Sequence, residues 1–160
     1  NKINSKDIDY QASKFINDAD VFLSLSTTGL ETGKLIKKKN KIYICERSSS
    51  HIVFQNKILE EEYKNLGLDY LPINKWFIER ELEEYENSDF ILVPSKFVEK
   101  TFIDKKIFKT KTVNFGSNTD NFFPIKNFKK NDGEFNVLFV GQQSVRKGLH
   151  YYICSWSHRS

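Results

Sequence analysis

Methionine is absent from the 160 residues, even at position 1, and alanine occurs twice and proline three times. The first residues, Asn1 to Asn4, lack the basic start and apolar stretch of a secretion signal. No run of about 18 apolar residues exists, which excludes a membrane-spanning helix. The two cysteines, Cys45 and Cys154, are far apart and neither belongs to a C-x-x-C pair. A disulfide framework and a cysteine zinc site are therefore excluded, and a reducing cytoplasm is the expected location. Arginine is scarce among the 25 basic residues, and the net charge is only +4. Both signs are mixed along the chain, whereas a nucleic-acid binder clusters its cations and uses arginine on base edges. No nucleic-acid partner is expected. What is present is a large apolar stock, with 14 Phe and 7 Tyr, enough to build a core. The chain is expected to be a piece of a longer one, incomplete at both ends.

Short apolar runs alternate with helical patterns. Val21–Leu25, Lys41–Cys45, Asp89–Val93 and Lys111–Asn114 have strand length and strand residues. Helices are expected over Asp7–Asn17, Leu30–Lys38, His51–Asn65, Lys75–Asn87 and Lys96–Asp104. Ser49 or Ser50 is the expected cap of the third of these, and Ser95 that of the fifth. Strands that are nearly all apolar, separated by helices, predict an α/β fold with a parallel sheet covered on both faces. Residues 1–115 form one unit on this reading. Residues 116–133 carry turn residues and no period, as in a linker. Phe135–Val140 then reads as a new strand and a helix starts near Lys147, so residues 134–160 open a second α/β unit.

Ligands of open α/β sheets gather at the carboxyl ends of the strands. This rule selects Ser26–Gly29, Glu46–His51, Pro94–Ser95 and Gly141–Gly148. In the last, a glycine turn leads to Arg146 and Lys147 at a helix start, where free amides and the helix dipole favour an anion. The spacing is neither that of a Walker loop nor G-x-G-x-x-G. Glu46, Arg47 and His51 put an acid, a base and an imidazole into one strand-to-helix turn, and they are the candidates for catalysis. His51 is expected to be neutral beside the positive end of a helix. Asp18-Ala19-Asp20 precedes its strand and so lies at the wrong end of the sheet for a metal-binding D-x-D. The acids of Glu60–Glu62 and Glu79–Glu86 read as solvated helix faces. Lys37–Lys41 is a basic run at a helix end, leaving peripheral membrane association open. His150 and His158 have no metal-ligand company, and no metal is expected.

Together these blocks resemble glycosyltransferase family 4. Asn87–Phe97, with Ser-Asp-Phe-Ile-Leu-Val-Pro-Ser at its centre, resembles the family's "aD-x-I-x-v-p-S" block. Asn114–Pro124 resembles its "y-G-v-D-x-x-x-F-x-P" linker, and Phe135–Gly148 its "f-x-i-L-f-v-G-x-x-x-x-x-K-G" opening of the second domain. Glu46–Ile52, Gln55 and Glu60–Tyr63 resemble an "E-R-x-S-x-H-i-x-x-Q…E-E-Y" variant. The resemblance spans about residues 7–156. It implies a GT-B architecture, two Rossmann-like domains across a cleft. It implies retaining sugar transfer from a nucleotide-diphosphate sugar to a carbohydrate or lipid-linked acceptor, without a resident cofactor; with the cysteine usage and the Lys37–Lys41 run, the expected location is the cytoplasm or the inner face of its membrane. Residues 1–115 would be the later half of the acceptor-side domain, and 134–160 the first strand and helix of the donor-side domain. The polypeptide alone would be inactive. Lys147 takes the family's diphosphate-binding lysine position, with Arg146 and Gly141 nearby. Gln142 stands where the family has arginine, and Asn118 where its linker has aspartate. Ser26, Ser95 and Gly116 would line the cleft. A UDP-N-acetylglucosamine 2-epimerase-like enzyme or a non-catalytic nucleotide-sugar-binding scaffold are the alternatives of the same architecture.

Overall fold

The structure is a computed structural model and describes residues 1–123, Gly133 and residues 136–157. Its centre is a four-stranded parallel sheet in the order β1-β2-β3-β4. The strands are β1 (Val21–Leu25), β2 (Ile42–Glu46), β3 (Phe90–Val93) and β4 (Thr110–Thr112). Six α-helices occur among the described residues: α1 (Lys2–Ser13), α2 (Leu30–Lys38), α3 (Ile52–Asn65), α4 (Lys75–Asn87), α5 (Lys96–Ile103) and α6 (Leu149–Ser157). The arrangement is α/β and compatible with a Rossmann-like fold. The boundaries of β1, α2 and α4 fall where the sequence pattern puts them. The first helix starts earlier than its pattern and stops at Ser13, and a short 3-10 turn, Ile16–Asp18, leads into β1.

One expectation fails: only one face of the sheet is covered. Strand order equals chain order, and parallel crossovers are right-handed, so successive connections all fall on the same side. Tyr43, Cys45, Ile91 and Val93 point to that side and are buried. They join Ile36 of α2, Ile52 of α3, Tyr85 of α4, and Val98 and Phe102 of α5 in one core. Alternate residues point the other way, as the strand period requires. Among them Leu23 is 50% exposed, Leu25 55% and Phe90 39%. Cross-strand pairing puts Leu23, Ile44 and Phe90 in one row and Leu25, Glu46, Leu92 and Lys111 in the next. The open face is thus largely apolar.

A second difference lies after the sheet. Residues 136–140 form no strand, although Val137–Val140 is strongly strand-forming. Strands need paired neighbours, and none is present among the described residues. Residues 116–123 form no regular element; residues 124–132 of the expected linker, Glu134 of the expected second unit and Phe135 of the expected strand lie outside the described residues.

Gly33 fixes how α2 meets the sheet. A Cβ at this position would stand 2.5 Å from the ring of Tyr43, which is fully buried. Glycine in a helix interior costs about 1 kcal/mol relative to alanine, so close approach to the ring is what it provides. Gly33→Val is expected to cost about 2–3 kcal/mol through overpacking, and Gly33→Ala less. Urea unfolding measures both. A Gly33→Ala variant more stable than the parent would show that the Tyr43 ring yields freely.

Candidate functional site

At the carboxyl edge of the sheet, β2 ends at Glu46 and the chain turns into α3. The cap of α3 is His51 itself and not a serine of the preceding triplet: His51 Nδ1 accepts the amide of Val53 at 3.3 Å. The imidazole is buried against the rings of Tyr85 and Phe102, with centroids 5.3 and 5.0 Å away. Burial, followed by the charges of Lys105 and Arg47, lowers its pKa to about 4. His51 is therefore neutral, as expected, with Nδ1 committed to the helix start. That use makes it a poor general base.

Arg47 ties the same turn together. Its Nη2 donates to Gln55 Oε1 at 2.8 Å and its Nε to the carbonyl of Ser50 at 3.1 Å. Nη1 reaches Ser26 Oγ at 3.4 Å, and Nε pairs with Glu81 at 3.2 Å. Glu81 also accepts the hydroxyl of Tyr85, and burial pushes its carboxyl above the ordinary range. Arg47 is thus a positioning residue for the β2–α3 turn.

Glu46 is different. Among the described residues its carboxylate has no hydrogen bond or ion pair. It lines a cavity of about 200 Å³ with Leu92, Val93, Pro94, Val113, Asn114, Phe115 and Gly116. The ends of β2 and β3 and the segment after β4 supply these walls. Ser95 follows Pro94 and caps α5, accepting the amide of Val98 at 3.3 Å. The sequence-selected residues Ser26, Glu46, Arg47, Ser95 and Gly116 thus lie along the carboxyl edge.

The β1–α2 turn at this edge is already filled. Glu84 of α4 accepts the amides of Thr27 and Gly29, the latter at 3.0 Å. Asp9 of α1 accepts the amides of Glu31 and Thr32, each at 2.9 Å. Arg80 pairs with Asp9, sits 3.8 Å from Glu84 and donates Nε to the carbonyl of Thr27 at 2.7 Å. Thr27 has a φ of 76°, which is strained for a β-branched residue, and Arg80 and Glu84 hold its two backbone polar groups. The amides that could have met a ligand anion at Ser26–Gly29 meet protein carboxylates instead. Burial pushes Glu84 up to about 7, against the pull of the two amides and Arg80. The sequence pattern gives these acids the wrong place: Glu81 and Glu84 are buried, not solvated.

Gly141, Gln142, Arg146 and Lys147 are exposed and lie apart from this edge in the chain's path. Val145–Lys147 is a 3-10 turn, Gly148 takes the left-handed conformation with φ 73°, and α6 begins only at Leu149. Lys147 therefore precedes the helix instead of opening it. The segment is seated on α3: the hydroxyl of Tyr151 donates to Glu62 at 2.6 Å, and His150 Nε2 lies 3.3 Å from the same carboxylate. Glu62 is eleven residues beyond the His51 cap, about 16 Å along α3.

The basic run is partly used within the fold. Lys37 pairs with Asp89, and Lys41 donates to the carbonyls of Asn17 and Ala19. Lys38 and Lys39 stay exposed. No helix among the described residues is long and apolar enough to cross a membrane, and no three His, Cys, Asp or Glu side chains there are grouped to hold a metal ion. No protein-family model, curated protein or solved structure matches the chain.

Proposed function

We propose that the chain is the later half of the acceptor-side domain of a retaining family 4 glycosyltransferase of GT-B architecture. The linker and the opening of the donor-side domain follow it. The observation that carries this reading is the carboxylate of Glu46, unpaired among the described residues, in a small cavity at the carboxyl edge of a parallel sheet. That is the place where such sheets take ligands, and a carboxylate beside a polar Asn114 and the aromatic Phe115 suits sugar hydroxyls and a sugar ring face. The uncovered apolar face supports the half-domain part, because parallel sheets are ordinarily covered on both sides.

In this reading Glu46 accepts a hydrogen bond from the acceptor hydroxyl and orients it, while Arg47 and His51 hold the turn that carries Glu46. Lys147 and Arg146, with the Gly141–Gln142 turn, face the diphosphate of a nucleotide-sugar donor. Their charge would stabilise the leaving nucleoside diphosphate. The acceptor is a carbohydrate or a lipid-linked one. The second would bring Lys38 and Lys39 close to a membrane surface on the cytoplasmic side.

A glycan array probed with the labelled chain tests the acceptor part. Retention of a defined saccharide is expected, and Glu46→Gln should weaken it about tenfold, the loss of one charge-assisted hydrogen bond. No retained saccharide, or retention unchanged in Glu46→Gln, would overturn the assignment of the cavity. The same chain incubated with nucleotide sugars is expected to transfer none. Measurable donor-dependent transfer would overturn the half-domain reading.

A further inference from the structure

We infer that the cavity at Glu46 is fitted to an ammonium group, and that the acceptor it takes is an amino sugar with a free amine next to a hydroxyl. The inference rests on the acceptor-site reading of this cavity and names the ligand's chemistry within it. The cavity holds about 200 Å³, roughly the room of six or seven waters at about 30 Å³ each. That is enough for one monosaccharide ring and not for an extended glycan.

The lining sets the ligand's charge. Glu46 is the one charged side chain in the cavity wall, and no cation among the described residues pairs with it. Arg47, its neighbour in the chain, is spent elsewhere: its three nitrogens are directed at Ser50, Glu81, Ser26 and Gln55. Lys111 shares a cross-strand row with Glu46, but β3 runs between them. Its ammonium lies 6.0 Å from the ring centre of Phe90, which belongs to the preceding row. A carboxylate that faces a cavity without a counter-charge is complementary to a cation. A single carboxylate offers too few oxygens to hold a hard metal ion by itself, whereas it suits an ammonium well.

The rest of the wall sets the ligand's body. An ionised Glu46 only accepts hydrogen bonds and Pro94 has no N–H, so this wall calls for donors on the ligand. Phe115 supplies an aromatic ring. Such a ring attracts an ammonium through its quadrupole, and the carbon face of a sugar packs on it as well. Asn114 adds a side-chain amide, which donates to or accepts from ring hydroxyls. The two oxygens of a carboxylate lie side by side, so one takes the ammonium and the other the adjacent hydroxyl of a 2-amino sugar. The hydroxyl keeps the place given to it above, and the amine is the added anchor.

Amide-resolved NMR titration of the whole chain tests this at about pH 6, where such an amine keeps its proton. The probes are glucosamine, N-acetylglucosamine, glucose and ethanolamine. Glucosamine is expected to shift the signals of Glu46, Asn114, Phe115 and Gly116 and to bind about tenfold more tightly than the other three. Glu46→Gln should bring glucosamine down to the level of glucose, and Phe115→Leu should weaken it about threefold. Lys75→Gln, on an exposed stretch of α4, should change nothing. Glu46 and Phe115 lie outside the core, so both variants should keep the parent's fold, which the core signals report. Glucose or N-acetylglucosamine bound as tightly as glucosamine would overturn the ammonium inference and leave the sugar-acceptor reading standing. A preference for glucosamine that survives in Glu46→Gln would do the same. Ethanolamine bound as tightly as glucosamine would overturn the amino sugar, because the ring would then add nothing. Absence of shifts with every probe at millimolar concentration would overturn the acceptor reading together with the inference.

Discussion

Arg80→Ala is expected to destabilise the protein by about 3–5 kcal/mol, enough to leave much of it unfolded. Arg80 is 7% exposed, and the two acids beside it, Asp9 and Glu84, are 2% and 0% exposed. Removing the guanidinium leaves both acids buried without a counter-charge. It also strips the carbonyl of Thr27 of its donor at a strained backbone position. A lysine at position 80 would restore charge but not the fork that reaches Asp9, Glu84 and Thr27 together, so Arg80→Lys should recover only part. The loss of a surface pair such as Lys75–Glu79 sets the contrast, with an expected change below about 1 kcal/mol. Urea unfolding of the three variants decides the matter. A loss below 1 kcal/mol for Arg80→Ala would mean that water reaches Asp9 and Glu84 at little cost.

This network is the part of the molecule that sequence pattern hides best. The strands were legible because runs such as Val21–Leu25 and Phe90–Val93 are apolar, short and bounded by turn residues. The helix over Lys75–Asn87 was equally plain. Its acids were not, because a run of Glu on a helix with i,i+4 basic partners describes a solvated face. The signal against that reading was the spacing of Ile78 and Tyr85, which puts Glu81 on the apolar stripe between them. Asp9 and Thr27 gave no local sign, since their partners lie 71 and 53 residues away. At the candidate site, Glu46, Arg47 and His51 were legible as a cluster, but their division of labour was not. Which of them is spent on structure depends on Glu81, Tyr85 and Phe102, which the turn itself does not reveal. The open sheet face misled for a related reason. An apolar strand reads as buried on both sides, and only the strand order shows that all the helices fall on one.

The buried groups of this core also make stability respond to pH in two opposing ways, which substitution should separate. His51 has its pKa lowered from 6.5 to about 4. The unfolded chain takes up its proton near 6.5 while the folded one resists until about 4. Its contribution is complete above 6.5 and is lost as pH falls through that window, by about 3 kcal/mol. Glu84 has its pKa raised from 4.5 to about 7. Here the folded state holds the proton more tightly, so the contribution is complete below 4.5 and is lost as pH rises towards 7, by a similar amount. Glu81, also raised by burial, acts in the same direction as Glu84. Between about pH 4.5 and 6.5 the two trends offset each other in the parent protein. His51→Asn keeps a side chain able to cap α3 and removes the imidazole. Its stability should fall more steeply than the parent's as pH rises through this range. Glu84→Gln lowers stability overall, because one of the amides of Thr27 and Gly29 then faces an NH₂ group. It should nevertheless slope the opposite way, gaining stability relative to the parent as pH rises. Urea midpoints at several pH values between about 4.5 and 7 read both slopes. A His51→Asn profile parallel to the parent's would show that His51 titrates at its ordinary value, and with it that the imidazole is open to water and free to take a proton at the carboxyl edge.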